Sequence, residues 1–211
     1  MMIASGHNLF WRLSDASGRG SDAVSVVLTN HPSATPAEVQ IETAISCSPF
    51  EAGALAKSTD IEWDQRDLEL FVTLLRKTLP VEARQEGNTA HIELDFSDDQ
   101  VVHIMHLVAA ARFVSAYLAT PVINEWRKLP ACHAPCEVGD MISIDTIDGF
   151  KPCVVVAQDR DTLDCILLEE ITSPRGDNIR LARHDKVILK KTWALPADFS
   201  NRLVRSNDTV H

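Results

Sequence analysis

"DMISIDTIDGFKPCVVVAQDRDTLDCILLEEI", residues 140–171, decides how this chain folds. It contains three β-type runs, "DMISIDTI", "KPCVVVAQ" and "LDCILLEEI", separated by turns rich in Gly and Asp. Val and Ile suit a pleated, half-buried surface, whereas Gly and Asp suit the turns between strands. Two more runs follow, "NIRLA" at 178–182 and "KVILKKTW" at 186–193. Short strands at this spacing, with no helix among them, predict a small closed or nearly closed β-barrel over 131–211.

Immediately upstream stands "LPACHAPCEVGD", residues 129–140. Pro130 ends what precedes it and the Gly139-Asp140 turn opens the barrel, so the stretch reads as a linker. It also holds Cys132, His133 and Cys136. Zinc needs about four N or S ligands, commonly from two separated pairs. No second close pair follows, because Cys153 and Cys165 sit singly in β runs. Cys132 and Cys136 remain the weaker, metal-binding alternative. A redox pair usually has two intervening residues at a helix start, and these have three in a proline-rich stretch.

Residues 1–130 read as an α+β, sandwich-like domain with its strands first. "NLFWRL" and "DAVSVVLT" are β-type runs around the turn "SGRGSD", and "EVQIETAIS" alternates as a half-buried strand should. A loop spans "SPFEAGALAKST". A helix follows Asp64 as N-cap, with Leu68, Phe71, Val72, Leu75 and Leu79 on its apolar stripe and Pro80 as its stop. "VEARQ" and "TAHIELDF" predict a hairpin around "EGN". Ser97 and Gln100 have capping-box spacing ahead of a helix over 98–118 that is apolar nearly all round, the expected central buried helix. Thr120 and Pro121 start a short third helix ending at Pro130.

The net charge of −10 is unevenly spread. Residues 1–130 carry a net −7, residues 131–173 a net −7 and residues 174–211 a net +4. An acidic body disfavours non-specific nucleic-acid binding and suits a basic protein partner. The basic end, with Arg175, Arg180 and Arg183, supplies cations for local contact with phosphate or with a partner. "MMIASGHNLFWRL" lacks a basic n-region, and no apolar run nears the roughly 18 residues of a membrane span. These features predict a cytoplasmic protein with no membrane partner, its five cysteines reduced. No cofactor motif is present: there is no phosphate-binding glycine loop, nucleophile elbow or kinase signature.

His103 and His106 lie three apart on the predicted buried helix, sharing a face with Ala110, Phe113 and Tyr117. No carboxylate ligand stands at helical spacing, so the three polar groups read as hydrogen-bonding and binding residues at a domain seam. "SPRGDN", 173–178, reads as a hairpin turn in which Gly176 and Asn178 tolerate positive φ.

Residues 138–173, "VGDMISIDTIDGFKPCVVVAQDRDTLDCILLEEITS", resemble the opening of the MazF/PemK-like toxin barrel. The matching features are Gly139-Asp140, Lys151-Pro152, the strand Val154 to Val156, and Ile171-Thr172-Ser173. "ILKKTWALPADFSNRL" is similar to the family's last strand and short final helix, so the resemblance covers about 136–205, roughly a third of the chain. It implies an SH3-like barrel and an endoribonuclease in which Lys151, Thr172 and Ser173 are catalytic, with Arg183 or His184 near the phosphate. The chain departs from the family in carrying Lys151 where Arg is common, which removes the bidentate fork for phosphate. Asp145, Asp148, Asp159 and Asp161 surround it in sequence and would repel RNA.

Two functions lead, and a metal-dependent protein built on Cys132, Cys136, His103 or His106 is a third, weaker one. The first is a non-enzymatic, acidic protein-binding module of the antitoxin, immunity or anti-defence type. The second is a MazF/PemK-like endoribonuclease acting through the barrel.

Overall fold

Strand β1 (Leu9–Asp15) pairs antiparallel with β2 (Asp22–Leu28) on one side and β3 (Thr59–Glu62) on the other, giving the order β2-β1-β3. The computed structural model describes residues 9–15, 22–28, 59–78, 98–124, 136–172 and 179–199. The predicted strand over 38–46 and the hairpin over 81–96 lie outside them, as do Ser97 and 125–135. The chain is α+β and divides into two compact units, Met1–Val114 and Ser115–His211. A cross-strand pair between Arg12 and Asp60, at 2.9 and 3.1 Å, pins β1 against β3.

Helix α1 (Gln65–Thr78) begins where expected. Asp64 Oδ1 accepts the N–H groups of Arg66 and Asp67 at 2.9 and 3.0 Å, and Asp67 Oδ2 accepts the Asp64 N–H at 3.2 Å. This reciprocal arrangement satisfies three otherwise orphaned donors at the start of the helix. The buried face is Asp67, Leu70, Phe71, Leu74 and Leu75. It therefore lies about one residue away from the predicted stripe, of which Phe71 and Leu75 are kept while Leu68 and Val72 are only half-buried. An apolar count cannot see that an aspartate heads the buried face.

Helix α2 (Asp99–Phe113) is buried along most of its circumference, and Asp98 caps it by accepting the Gln100 N–H at 2.8 Å. The helix stops at Phe113, five residues short of the predicted end, because Val114 turns extended and the next residues join a sheet. In the first unit's core the Trp11 and Trp63 rings stack at 4.5 Å, with Phe113 and Phe71 edge-on to them.

The two indoles differ in one respect. Trp11 Nε1 donates to Asp67 Oδ2 at 3.0 Å, whereas Trp63 Nε1 is buried with no partner among the described residues. An unmade hydrogen bond to a buried donor costs about 1–3 kcal/mol. Trp63→Phe removes that cost along with some ring contact, so its stability should stay within about 1 kcal/mol of the parent. Trp11→Phe strips a donor from a buried carboxylate and should cost about 2–3 kcal/mol more than Trp63→Phe. Paired denaturation curves decide this, and equal costs would contradict it.

The second unit is a six-stranded sheet of order β11-β5-β6-β7-β10-β4. Its strands are β4 (Ala116–Leu118), β5 (Met141–Thr146), β6 (Gly149–Gln158), β7 (Thr162–Leu167), β10 (Lys186–Lys190) and β11 (Leu195–Pro196). A two-stranded ladder, β8 (Ile171–Thr172) with β9 (Arg180–Leu181), stands beside it. All five predicted β runs are strands, all antiparallel to their neighbours except β4, which runs parallel to β10. No closed barrel forms among the described residues, since the ladder ends at β11 and β4.

Residues 116–124, read from sequence as the helix end and the start of a third helix, belong to this second unit. Ala119 N–H donates to Ile188 O at 2.9 Å, Asn124 N–H to Asp145 O at 3.0 Å, and Ile147 N–H to Val122 O at 2.9 Å. Ile123 also bridges Thr146. The segment thus straps the β10 side of the sheet to β5, and buries Ala119, Val122 and Ile123 in the same core as Ile144, Val155 and Val187.

Candidate functional site

The β5–β6 turn is built by Thr146 and Gly149. Thr146 Oγ1 donates to Gly149 O at 2.6 Å and accepts the Asp148 N–H at 3.2 Å, while Gly149 takes a φ of +94° that a side chain would strain. The turn sets Asp148 over the start of β6, where the Lys151 Nζ lies 3.2 Å from Asp148 Oδ2. A second carboxylate, Glu169 Oε2 in the bend that follows β7, stands 3.8 Å from the same ammonium. The Lys151 side chain is only 16% exposed, so both carboxylates act on it at reduced screening.

Asp148 also accepts the Thr172 N–H at 3.4 Å, which ties the hairpin turn to β8. The hydrogen bond from Lys151, then that from the Thr172 N–H, and last the Lys151 charge hold the Asp148 carboxyl below the usual carboxylate range. Across the β8–β9 ladder Arg180 faces Thr172, and its guanidinium lies 3.5 Å from Glu170. Three carboxylates therefore meet two cations, and each cation has a carboxylate partner.

Of the sequence-predicted residues, the fold brings Lys151, Thr172 and Arg180 to one place. Ser173, Arg175, Cys132 and His133 lie outside the described residues. Arg183 is exposed in the turn before β10, next to His184, which is buried with a φ of +73°. His103 and His106 are half-buried on α2. Tyr117 is not on that helix face: it is exposed on β4, because the helix has already ended. Cys136 is half-buried and packs against the second unit's core.

Glu169 and Glu170 were missed by sequence reasoning. Glu169 stands 18 residues from Lys151, and only the β6–β7 pairing closes that distance. The Asp148–Lys151 pair had a legible signal, an acid three residues before a base across a tight turn.

No protein-family model and no curated protein matches this chain. The site's chemistry therefore rests on its own geometry. Among the described residues no group of three or more His, Cys, Asp or Glu side chains could hold a metal ion, and no helix is long and apolar enough to cross a membrane.

Proposed function

We propose that this chain is a non-enzymatic, acidic protein-binding module, with an SH3-like barrel in its second unit and an inhibitory role of the antitoxin, immunity or anti-defence type. One observation carries the reading: the Lys151 ammonium lies between Asp148 and Glu169. RNA cleavage through a 2′-hydroxyl needs a cation that can receive the charge developing on phosphorus. An ammonium already neutralised by two carboxylates is poorly suited to it, and the excess of acid over base at the site repels the substrate. The same excess attracts a basic protein surface and speeds its encounter.

The second reading, an endoribonuclease, draws support from the proximity of Lys151 and Thr172 through Asp148. Incubating the purified protein with structured and single-stranded RNA separates the two. Under the binding reading RNA stays intact, expression in a naive bacterium leaves growth unchanged, and Lys151→Ala alters neither. Growth arrest with RNA cleavage that Lys151→Ala abolishes would overturn it in favour of the nuclease.

A further inference from the structure

The six-stranded sheet has two outer strands, and they differ in what they leave open. On one side β11 ends the ladder with Leu195 buried and Pro196 beside it, and a proline has no N–H to offer a further strand. On the other side all three residues of β4 are exposed, Tyr117 at 47% and Leu118 at 69%. Residues 115–118 carry no charge and no proline, so they have none of the devices that usually blunt an outer strand.

The bonds around β4 fix which backbone groups stay open. Ala119 N–H donates to Ile188 O at 2.9 Å, so it faces β10. Backbone groups alternate in direction along a strand, which turns those of Tyr117 towards β10 and those of Ala116 and Leu118 away from it. The outward N–H and C=O groups of Ala116 and Leu118 have no hydrogen-bond partner among the described residues. The open row stops at Leu118. The Val122 and Ile123 N–H groups both return to Ala119 O, at 2.9 and 3.0 Å, and turn the chain there.

We infer that β4 pairs with β4 of a second copy of this chain, antiparallel and about a two-fold axis at Tyr117. In that register Ala116 exchanges both backbone bonds with the second copy's Leu118, and the axis repeats the exchange for Leu118 and the second copy's Ala116. The same strand reversed matches the open groups in number and spacing. A longer strand from another protein would find nothing to pair with past Leu118. Each Leu118 side chain then lies beside the other copy's Ala116 and loses its exposure. The two Tyr117 residues meet across the axis as a non-hydrogen-bonded pair, with Cα atoms about 4.5 Å apart. The contact is short, so the dimer belongs to the weak, reversible class. Each whole chain carries a net charge of −10, so the copies repel one another until salt screens them. The inference does not depend on the reading of the Lys151 site.

Sedimentation of the full chain from roughly 10 μM to 1 mM, a span that brackets weak dimers, reads the association. A reversible monomer–dimer equilibrium is expected, and added salt should strengthen it. Tyr117 is the one tyrosine of the chain, so light-driven oxidation with a ruthenium complex and persulfate can form dityrosine only through it. The expected product is a dityrosine-linked pair of Tyr117 peptides, found by mass spectrometry. Leu118→Pro removes an outward N–H and should weaken association roughly tenfold with the melting temperature unchanged. Leu118→Lys, which charges the edge, should do the same. The cross-link in the parent protein decides the matter even where a variant fails to fold. A dimer without that cross-link, or one that survives both variants, would overturn the inference. So would a chain that stays monomeric at the highest concentration, which would leave this edge to an extended segment of another protein.

Discussion

Replacing Asp67 by Ala is expected to destabilise the first unit by about 3–5 kcal/mol, the range for breaking a buried ion pair from one side. The Asp67 carboxylate is buried, and its Oδ2 accepts three donors: Trp11 Nε1 at 3.0 Å, an Arg112 guanidinium N–H at 2.9 Å and the Asp64 N–H at 3.2 Å. These come from β1, from the end of α2 and from the residue capping α1, so one oxygen joins three elements. Its loss leaves the Trp11 N–H buried without an acceptor. It also leaves Arg112, whose side chain is 24% exposed, with the exposed Asp64 as its one carboxylate partner among the described residues.

Asn at position 67 keeps one acceptor oxygen but not the charge, and should cost about half as much as Ala. The measurement is chemical denaturation followed by near-ultraviolet circular dichroism, which reads the stacked Trp11–Trp63 pair. With two units the curve is fitted to the first unit's transition alone. A cost below about 1 kcal/mol for Ala would show that the network is ornamental, since exposed pairs are worth no more than that. Asp64, held low chiefly by the Asp67 backbone N–H and then by the Arg112 guanidinium, adds a pH signature. Its folded pKa lies below its unfolded value, so its contribution is present above the unfolded pKa and disappears as pH falls through the folded one.

A fragment starting at 115 is expected to fold as the second unit, and one starting at 131 is expected not to. The shorter piece lacks β4 and the strap, and with them the buried side chains of Ala119, Val122 and Ile123. Burial of a Val or Ile side chain is worth about 1.5–3 kcal/mol, and the backbone bonds to Ile188, Asp145 and Ile147 go as well. The loss is on the order of 5 kcal/mol, comparable with the whole stability of a domain this small. Dispersed amide resonances and a cooperative melt should belong to 115–211 only. The point variant Val122→Asp in the full chain should destabilise the second unit in the same way. Equal melting of both fragments would contradict the assignment of 116–124 to this sheet.

These expectations show where sequence reasoning reached and where it stopped. The runs over 141–193 were legible because β-branched residues between Gly and Asp turns leave few alternatives locally. Asp64 was legible as a cap because its effect acts within one turn. The stretch 98–118 was legible only in part. Its apolar run continues past Phe113, and nothing local says that Ala116–Leu118 gains more as a strand beside β10, some 70 residues later, than as a further helical turn. Asp67 looked like first-turn acid and proved to be the hub of a core, because its donors Trp11 and Arg112 stand 56 and 45 residues away.

The same division holds at the candidate site and in the second unit's core. Lys151 and Thr172 were singled out by what the resemblance of 138–173 implies, while local turn and strand preferences determined the Gly139-Asp140 turn and the strands that carry them. Only the tertiary structure decided that Glu169 joins Asp148 on Lys151, that Arg180 faces Thr172, and that Cys153, Cys165 and Cys136 share one core. The physical reason is range. Turn, cap and strand preferences act over a few residues and are written in consecutive letters. Ion pairing and burial depend on which strands become neighbours, and that is set by packing the whole unit.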